Sequence, residues 1–333
     1  LTIKLVGENS INSGDQTGIL SMQGCGLLTL TGEGSLNITL NNVNIIGNRA
    51  DKGNGGAFYI TPNANFSLVS SGNDAISGNR AVNGGAFYFA TELSSKARLE
   101  LPSVISGNTA SGNGGAIYAV GNLNWDKAVT FQNNYSTGKG GALYVEGNLE
   151  MSDGTFIANG TLSTGNDNDG GAVYVGGNLT ITGGSFSENY AGGVFGDGGA
   201  IYVAGTLNMS GSVDFSGNRA THGGKGGAVY VGGDATISSV TATGNYGASG
   251  GAFYFASGTV SIAQQKDDSV IIESNHGFTG GAFYIAEGTS VTLGEGSIEI
   301  NSNYAETGIL LNSDGSSDSS VRIGGNGGAF YNA

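Results

Sequence analysis

Short segments in which apolar and polar residues alternate recur along the whole chain, separated by glycine-rich stretches. Residues 170–189 are typical, because they contain "AVYV", "NLTIT" and "SFSE" with glycines between them. Alternation with a period of two predicts β-strands with one buried face. Each segment has only four or five residues, too few to bury a face alone. We therefore expect the strands to stack on copies of themselves.

Two sequence elements repeat in a fixed order, which supports this expectation. The first is "GGA" followed by an apolar residue and a tyrosine. Its tyrosines are Tyr59, Tyr88, Tyr118, Tyr144, Tyr174, Tyr202, Tyr230, Tyr254, Tyr284 and Tyr331. The second is an apolar residue, two further positions and an asparagine. Its asparagines are Asn48, Asn79, Asn108, Asn134, Asn159, Asn189, Asn218, Asn245, Asn275 and Asn303.

The repeat spacing predicts the fold class. Asn48 and Asn303 are 255 residues and nine steps apart, about 28 residues per unit. Such a unit holds three short strands and three turns, and stacked units bury a continuous core. We predict an all-β protein, a single right-handed parallel β-helix (β-solenoid) of about 11–12 rungs, where a rung is one turn of the solenoid. Residues 1–333 form one domain, with irregular leading rungs over 1–40, ten repeats over 41–333 and an end inside a repeat unit.

Strand alternation assigns the side chains to two faces. The residue before each repeated tyrosine is large and apolar, and the residue after it is apolar in nine of ten copies. We place these two positions inside, so the tyrosines and the preceding alanines should face outward. That arrangement gives nine stacked rings, Tyr59 to Tyr284, about 5 Å apart beside a flat alanine track. The opposite orientation, with alanine and tyrosine inside, remains an alternative.

The repeated asparagines predict a ladder at one corner of the solenoid. A buried amide needs hydrogen-bond partners, and an identical amide one rung away supplies them. An exposed turn residue in a left-handed conformation is the alternative. The number of positions from each asparagine to the next "GGA" alanine varies. It is seven to thirteen in nine units and 26 in the last. Insertions at such a corner are where solenoids present binding loops.

Composition narrows the class of protein further. The 64 glycines and two prolines follow no Gly-X-Y period, which excludes collagen. Only 11% of residues are charged and the formal net charge is −14, so a nucleic-acid partner is not expected. Cys25 is the single cysteine, and no run of 18 apolar residues would form a membrane-spanning helix.

Candidate catalytic or metal-binding residues are sparse, so we predict no enzyme activity, metal or cofactor. The acids lie in loops, in "NDNDGG" (166–171), at Asp197 and at Asp267–Asp268, and we interpret "NDNDGG" as a solvated polar turn. His222 and His276 should occupy corner loops without metal-site spacing. Trp125 is expected to pack in the core. A polysaccharide-degrading β-helix enzyme is the least favoured alternative.

The paired repeats resemble those of the chlamydial polymorphic membrane proteins. Examples are "GGAIY" at 114–118 with "FQNN" at 131–134, and "GGAVY" with "FSEN" or "FSGN". The resemblance covers residues 45–331 and implies the passenger region of an autotransporter. Such a passenger is displayed extracellularly on the bacterial surface and anchored in the outer membrane through a part outside this sequence.

The resemblance also implies a function for the passenger. It would act as an adhesin that presents loops and the tyrosine face to a host-cell or surface receptor, either protein or glycan. Self-association is a further possible interaction. The alternative function is a structural stalk that spaces another domain from the cell.

Overall fold

The computed structural model of the protein describes residues 2–4, 8–12, 28–31, 35–40, 44–60, 65–70, 74–90, 99–162, 168–221, 223–305, 321–324 and 330–332. Within these ranges every regular element is a β-strand, and no helix occurs. It follows that no helix formed by the described residues is long and apolar enough to cross a membrane.

The repeated tyrosines lie on one sheet of twelve strands, which we name the tyrosine sheet. Its strands are Thr2–Lys4, Leu28–Thr31, Phe58–Ile60, Phe87–Phe89, Ile117–Ala119, Leu143–Val145, Val173–Val175, Ile201–Val203, Val229–Val231, Phe253–Phe255, Phe283–Ile285 and Phe330–Asn332. Adjacent strands pair in parallel, and each tyrosine is in register with the tyrosine of the next rung, as in Tyr174 with Tyr202.

A sheet of sixteen strands, the wall sheet, carries the apolar residues that precede the ladder asparagines. Its main path contains Asn44–Ile46, Ala75–Ser77, Val104–Ser106, Thr130–Gln132, Thr155–Ile157, Gly184–Ser187, Leu207–Ser216, Ala235–Thr243, Ser269–Glu273, Ser297–Asn301 and Val321–Gly324. Five further strands pair beside it, Leu123–Trp125, Leu149–Met151, Leu179–Ile181, Thr259–Ile262 and Ser290–Leu293.

Two smaller sheets complete the solenoid. The corner sheet has ten strands, Arg49–Ala50, Arg80–Ala81, Thr109–Ala110, Tyr135–Ser136, Gly160–Thr161, Tyr190–Ala191, Arg219–Ala220, Tyr246–Ser249, His276–Thr279 and Tyr304–Ala305. The leading sheet has four strands, Glu8–Asn12, Ser35–Leu40, Asn65–Ser70 and Leu99–Glu100.

Every described strand pair is parallel and joins corresponding segments of successive repeats, which confirms the predicted parallel β-solenoid. Nine consecutive strands of the tyrosine sheet, from Phe58–Ile60 to Phe283–Ile285, enclose about eight rungs. The sequence predicts 11–12 rungs over the whole chain.

The strand content of a rung differs from the prediction of three strands. A fourth strand of two to four residues, the corner-sheet strand, follows each ladder asparagine. It is separated from the wall sheet because the residue before the asparagine adopts a left-handed conformation, with φ of +57° at Glu188 and +62° at Gly217. This turn ends the wall strand two residues before the asparagine, at Ser187 in the rung of Asn189.

The core is a file of apolar side chains contributed by the tyrosine and wall sheets. Phe131, Phe156, Phe186 and Phe215 stack at 4.7–5.0 Å between ring centroids, and all four are buried. Ala242 takes the next position in this register. There the larger Phe253 of the tyrosine sheet meets Phe215 edge-on at 6.1 Å, so the opposite wall fills the volume that the alanine leaves.

The prediction that the "GGA" alanines form an exposed track is wrong. Ala86, Ala116 and Ala142 are each fully buried in the core cluster. The alternation fails because the strand begins only after the alanine. The N–H groups of Ala116 and of Ile117 both donate to the carbonyl of Ala142, at 2.9 and 3.0 Å, so the backbone bends at this point.

Candidate functional site: the tyrosine strip and its flanking ladders

The repeated tyrosines form a continuous stack along the outer face of the tyrosine sheet, which we name the tyrosine strip (Tyr59, Tyr88, Tyr118, Tyr144, Tyr174, Tyr202, Tyr230, Tyr254 and Tyr284). Successive ring centroids are 4.5–5.1 Å apart, and the rings lie within 25° of parallel. The flanking residues of each strand are buried, as in Val173 and Val175 around Tyr174. The rings therefore point away from the core.

Stacking determines which part of each ring is accessible. An inner tyrosine has a neighbouring ring on both faces, so only its edge and its hydroxyl group remain available. Most of these side chains are half-buried, and Tyr254 is 8% exposed. A sugar ring that packs flat on an aromatic face would find no free face along the inner strip. The strip instead offers a row of phenol groups with the strand spacing of a β-sheet.

Burial raises the pKa of three phenol groups described next, so these three remain protonated at neutral pH. Burial, followed by the negative charge of Asp197, raises the pKa of Tyr230 to about 12. Burial also raises the pKa of Tyr118, whose hydroxyl donates a hydrogen bond to Glu146. Burial and the neighbouring Tyr230 raise the pKa of Tyr202 in the same way. A protonated phenol has one O–H to donate, and Tyr118 already uses it on Glu146, so donation to a partner is left to hydroxyls such as that of Tyr230.

A file of charged, amide and hydroxyl side chains, at the position just before each "GGA", runs beside the tyrosine strip. Lys139 forms an ion pair with Asp169 at 2.9 Å and lies 4.7 Å from the ring centroid of Tyr174. Lys225 lies 5.1 Å from the ring of Tyr254. The side-chain oxygen of Asp197 accepts a hydrogen bond from the backbone N–H of Lys225 at 2.8 Å. These cations lie within cation–π range of the strip.

The interpretation of "NDNDGG" as a solvated turn is wrong for its described part. Asn168 and Asp169 are 4% and 6% exposed, and the first two positions of the motif lie outside the described residues. Asp169 is buried because it precedes "GGA", where the chain bends into the corner. Its carboxylate accepts the Asp197 N–H at 3.1 Å and the Lys139 ammonium group.

The ten repeated asparagines form an uninterrupted ladder where the wall sheet turns into the corner sheet. From Asn79 to Asn303, each Oδ1 accepts two hydrogen bonds from the asparagine one rung earlier, one from its backbone N–H and one from its Nδ2, all at 2.9–3.1 Å. Eight of the ten, from Asn79 to Asn275, are fully buried.

Each inner amide of this ladder uses its full hydrogen-bonding capacity. Besides the next asparagine, Nδ2 donates to a wall-strand carbonyl of the preceding rung, as Asn189 does to Phe156 at 3.0 Å. An amide has two donors and an oxygen that accepts two bonds, and all four are occupied. Serine, threonine or aspartate would leave part of this pattern unpaired.

A third ladder, which the sequence analysis missed, lies on the surface after the tyrosine strand. The side-chain oxygen of Asn122 accepts the N–H of Asn148 at 2.7 Å, and Asn148 accepts that of Asn178 at 2.8 Å. These side chains are exposed. Here the oxygen accepts from the following rung, the reverse of the buried ladder. The recurring "GN" dipeptide after the tyrosine strand is the signal that could have revealed it.

The remaining candidate residues lie apart from one another. Trp125 is 6% exposed and packs at 5.9 Å from Phe131, while its Nε1 donates to the Asp153 carbonyl. His276 lies in a strand rather than in a corner loop, because its N–H continues the corner-sheet pairing, and its ring is edge-on to Tyr246. Among the described residues, no three His, Cys, Asp or Glu side chains come together as a metal site. Cys25 and His222 lie outside the described residues.

Comparison with known protein families gives one match. The model of the Chlamydia polymorphic membrane protein repeat matches residues 102–120, 128–146 and 212–232. Searches of curated proteins and of solved structures found no match. Each matched segment contains wall-sheet residues, and each ends on a tyrosine-sheet strand or just beyond it. The chain therefore carries repeats of the chlamydial polymorphic membrane protein type, folded as rungs of a parallel β-solenoid.

Proposed function

We propose that this chain is the passenger region of a bacterial cell-surface protein and acts as an adhesin, with the tyrosine strip as its contact surface. The repeat matches support a surface passenger. The observation that carries the adhesin role is the row of outward-pointing phenol groups on nine successive strands. A purely structural stack would need the rings but not their hydroxyl groups.

The chemistry of the strip defines the type of contact. Ring faces are covered, so a partner meets ring edges, hydroxyl donors and the adjacent cations Lys139 and Lys225. Tyrosine combines contact area with little loss of side-chain entropy on binding. A protein or glycan receptor that presents regularly spaced hydrogen-bond acceptors would match this row.

A substitution that keeps the stack separates the two roles of the tyrosines. The triple variant Tyr174→Phe, Tyr202→Phe and Tyr230→Phe removes three hydroxyl groups and leaves the rings in place. The matched control replaces Tyr135, Tyr190 and Tyr246 of the corner sheet with phenylalanine.

Binding of the purified chain to cultured cells or to a receptor array is the measurement. We expect the strip variant to lose at least about tenfold in binding, since each lost hydrogen bond contributes roughly 1 kcal/mol. The control variant should bind like the parent chain. If the strip variant binds normally and melts normally, the strip is a scaffold and the stalk function is favoured.

A further inference from the structure

Three charged residues occupy the position just before "GGA" on successive rungs, Lys139, Asp169 and Asp197. Side chains at this position reach toward the following rung. Asn113 Oδ1 accepts the backbone N–H of Lys139 at 2.8 Å, and Asp169 Oδ1 accepts that of Asp197 at 3.1 Å. In the same direction, Lys139 Nζ reaches Asp169 Oδ2 at 2.9 Å. An amine and a carboxyl group of neighbouring rungs are therefore held in contact.

This pair is largely withdrawn from water. The side chain of Asp169 is 9% exposed and that of Lys139 is 29% exposed. The ammonium nitrogen lies 4.7 Å from the ring centroid of Tyr174 and 5.8 Å from that of Tyr202. Burying an ion pair carries a desolvation cost for both charges. A neutral amide formed from the same two groups would remove both charges from the site.

The two groups are also placed for reaction. Holding a nucleophile against the carbon that it attacks corresponds to an effective concentration of about 10⁵–10⁸ M in well-oriented pairs. Lys139 Nζ contacts Asp169 Oδ2, and the carbon to be attacked, Cγ, is bonded to that oxygen. The other oxygen, Oδ1, is held by the backbone N–H of Asp197. A backbone N–H aimed at this oxygen stabilises the negative charge that develops there during attack.

We propose that Lys139 and Asp169 condense into an intramolecular amide (isopeptide) bond, which cross-links two neighbouring rungs. One proton passes from the ammonium group to Oδ2, and the neutral amine attacks Cγ. A second proton passes from the nitrogen to Oδ2, which leaves as water. One C–N bond forms and one C–O bond breaks, without any oxidant or other reactant. The link does not depend on the proposed adhesin function, since the strip keeps its phenol groups and Lys225.

Lys225 provides an internal comparison. It occupies the same repeat position as Lys139 and lies 5.1 Å from the ring centroid of Tyr254. The corresponding position on the following rung is Ser249, which carries no carboxyl group. Both lysines thus lie against the tyrosine strip, but only Lys139 is followed by an aspartate. We expect Lys139 to react and Lys225 to remain an amine.

Mass spectrometry of the purified chain tests the proposal. We expect the folded chain to be lighter than its sequence by the mass of one water molecule. Trypsin digestion after unfolding should yield two peptides joined through Lys139 and Asp169, without cleavage after Lys139. Lys139→Arg keeps the positive charge but cannot form this bond, so it should have the full mass. Lys225→Arg is the matched control and should still lose one water.

Incomplete reaction is distinguished by time, because the linked fraction should rise during incubation of the folded chain. A parent chain that keeps its full mass after long incubation at neutral pH would overturn the proposal. A loss of water that persists in Lys139→Arg would overturn it as well. That result would place the dehydration elsewhere, for example in cyclisation of Asp169 onto the backbone nitrogen of Gly170.

Discussion

Asn189 donates two hydrogen bonds to one oxygen of Asn218, from its backbone N–H at 3.1 Å and from its Nδ2 at 3.0 Å. The same Nδ2 also donates to the Phe156 carbonyl at 3.0 Å. A single side chain thus joins three successive rungs. Because it is fully buried, water cannot replace any of these bonds.

We expect Asn189→Ala to lower the free energy of unfolding by about 1–3 kcal/mol, because it leaves buried hydrogen-bonding groups unpaired. Chemical denaturation followed by circular dichroism measures the change. Asn178→Ala is the control, since Asn178 makes one comparable bond to the Thr206 N–H but is exposed. A loss at Asn178 as large as that at Asn189 would contradict the role of burial.

The left-handed residue before each ladder asparagine predicts a stabilising substitution. Ala158 has φ of +51°, a conformation that costs a residue with a Cβ about 1 kcal/mol. Ala158→Gly should raise the free energy of unfolding by about 0.5 kcal/mol, after the greater entropy of unfolded glycine is subtracted.

Gly244→Ala is the reciprocal test of the same backbone effect. Gly244 has φ of +64°, and a Cβ there would meet no atom within 4 Å. Its loss of stability, about 0.5–1 kcal/mol, would therefore come from the backbone alone. If Ala158→Gly and Gly244→Ala destabilise the chain equally, the left-handed conformation does not determine the stability effect of substitutions at these positions.

The substitution Ala242→Phe tests whether Phe253 of the tyrosine sheet fills the core space next to Ala242. Phe253 and Phe215 already occupy the space next to Ala242, so a further ring should overpack the core and cost about 1–3 kcal/mol. In a chain that also carries Phe253→Val, the residue found one rung earlier at Val229, the cost should largely disappear. Additive costs in the double variant would show that the two sites are independent.

Alkaline titration tests the environment of the strip. The pKa of Tyr230 is raised to about 12, above the ordinary value of 10.0, so the folded chain holds this proton more tightly than the unfolded chain. Its contribution to stability is complete below pH 10 and is lost as the pH rises from about 10 to about 12. Phenolate absorbance and denaturation over this pH range should show the late titration and the falling stability.

Tyr230→Phe provides the control for this titration. It should remove one late-titrating phenol and reduce the slope of stability against pH in that range. A normal titration of every tyrosine would contradict the burial of the strip hydroxyls.

The repeat register made the solenoid predictable from the sequence. Each "GGA" unit fixes one rung, and residues at equal positions, such as Tyr174 and Tyr202, must then lie side by side. Alternation correctly places Val173 and Val175 in the core. It fails at Ala172, because alternation holds only inside a strand and this alanine lies in the bend before it.

A groove next to Trp125 also lies on the surface, and it could not be predicted in the same way. It arises because Leu99–Glu100 and Leu123–Trp125 fail to pair, and no repeated motif marks these two segments. Similarly, the burial of Asp169 depends on a lysine one rung earlier, Lys139, at a position where most repeats have uncharged residues or acids. The sequence does not show which residues contact a side chain that departs from the repeat pattern. The three-dimensional structure is needed to identify those contacts.

The bonds of the asparagine ladder and of the strand pairs join one rung to the next, so they run along the axis of the solenoid. A pulling force along this axis loads all the bonds between two rungs together, and outside the proposed Lys139–Asp169 bond no covalent contact other than the chain itself links neighbouring rungs. Mechanical extension should therefore peel the solenoid one rung at a time. Each rung would release about 28 residues, roughly 95 Å of extended chain. Under load the chain would therefore lengthen in steps instead of unfolding all at once.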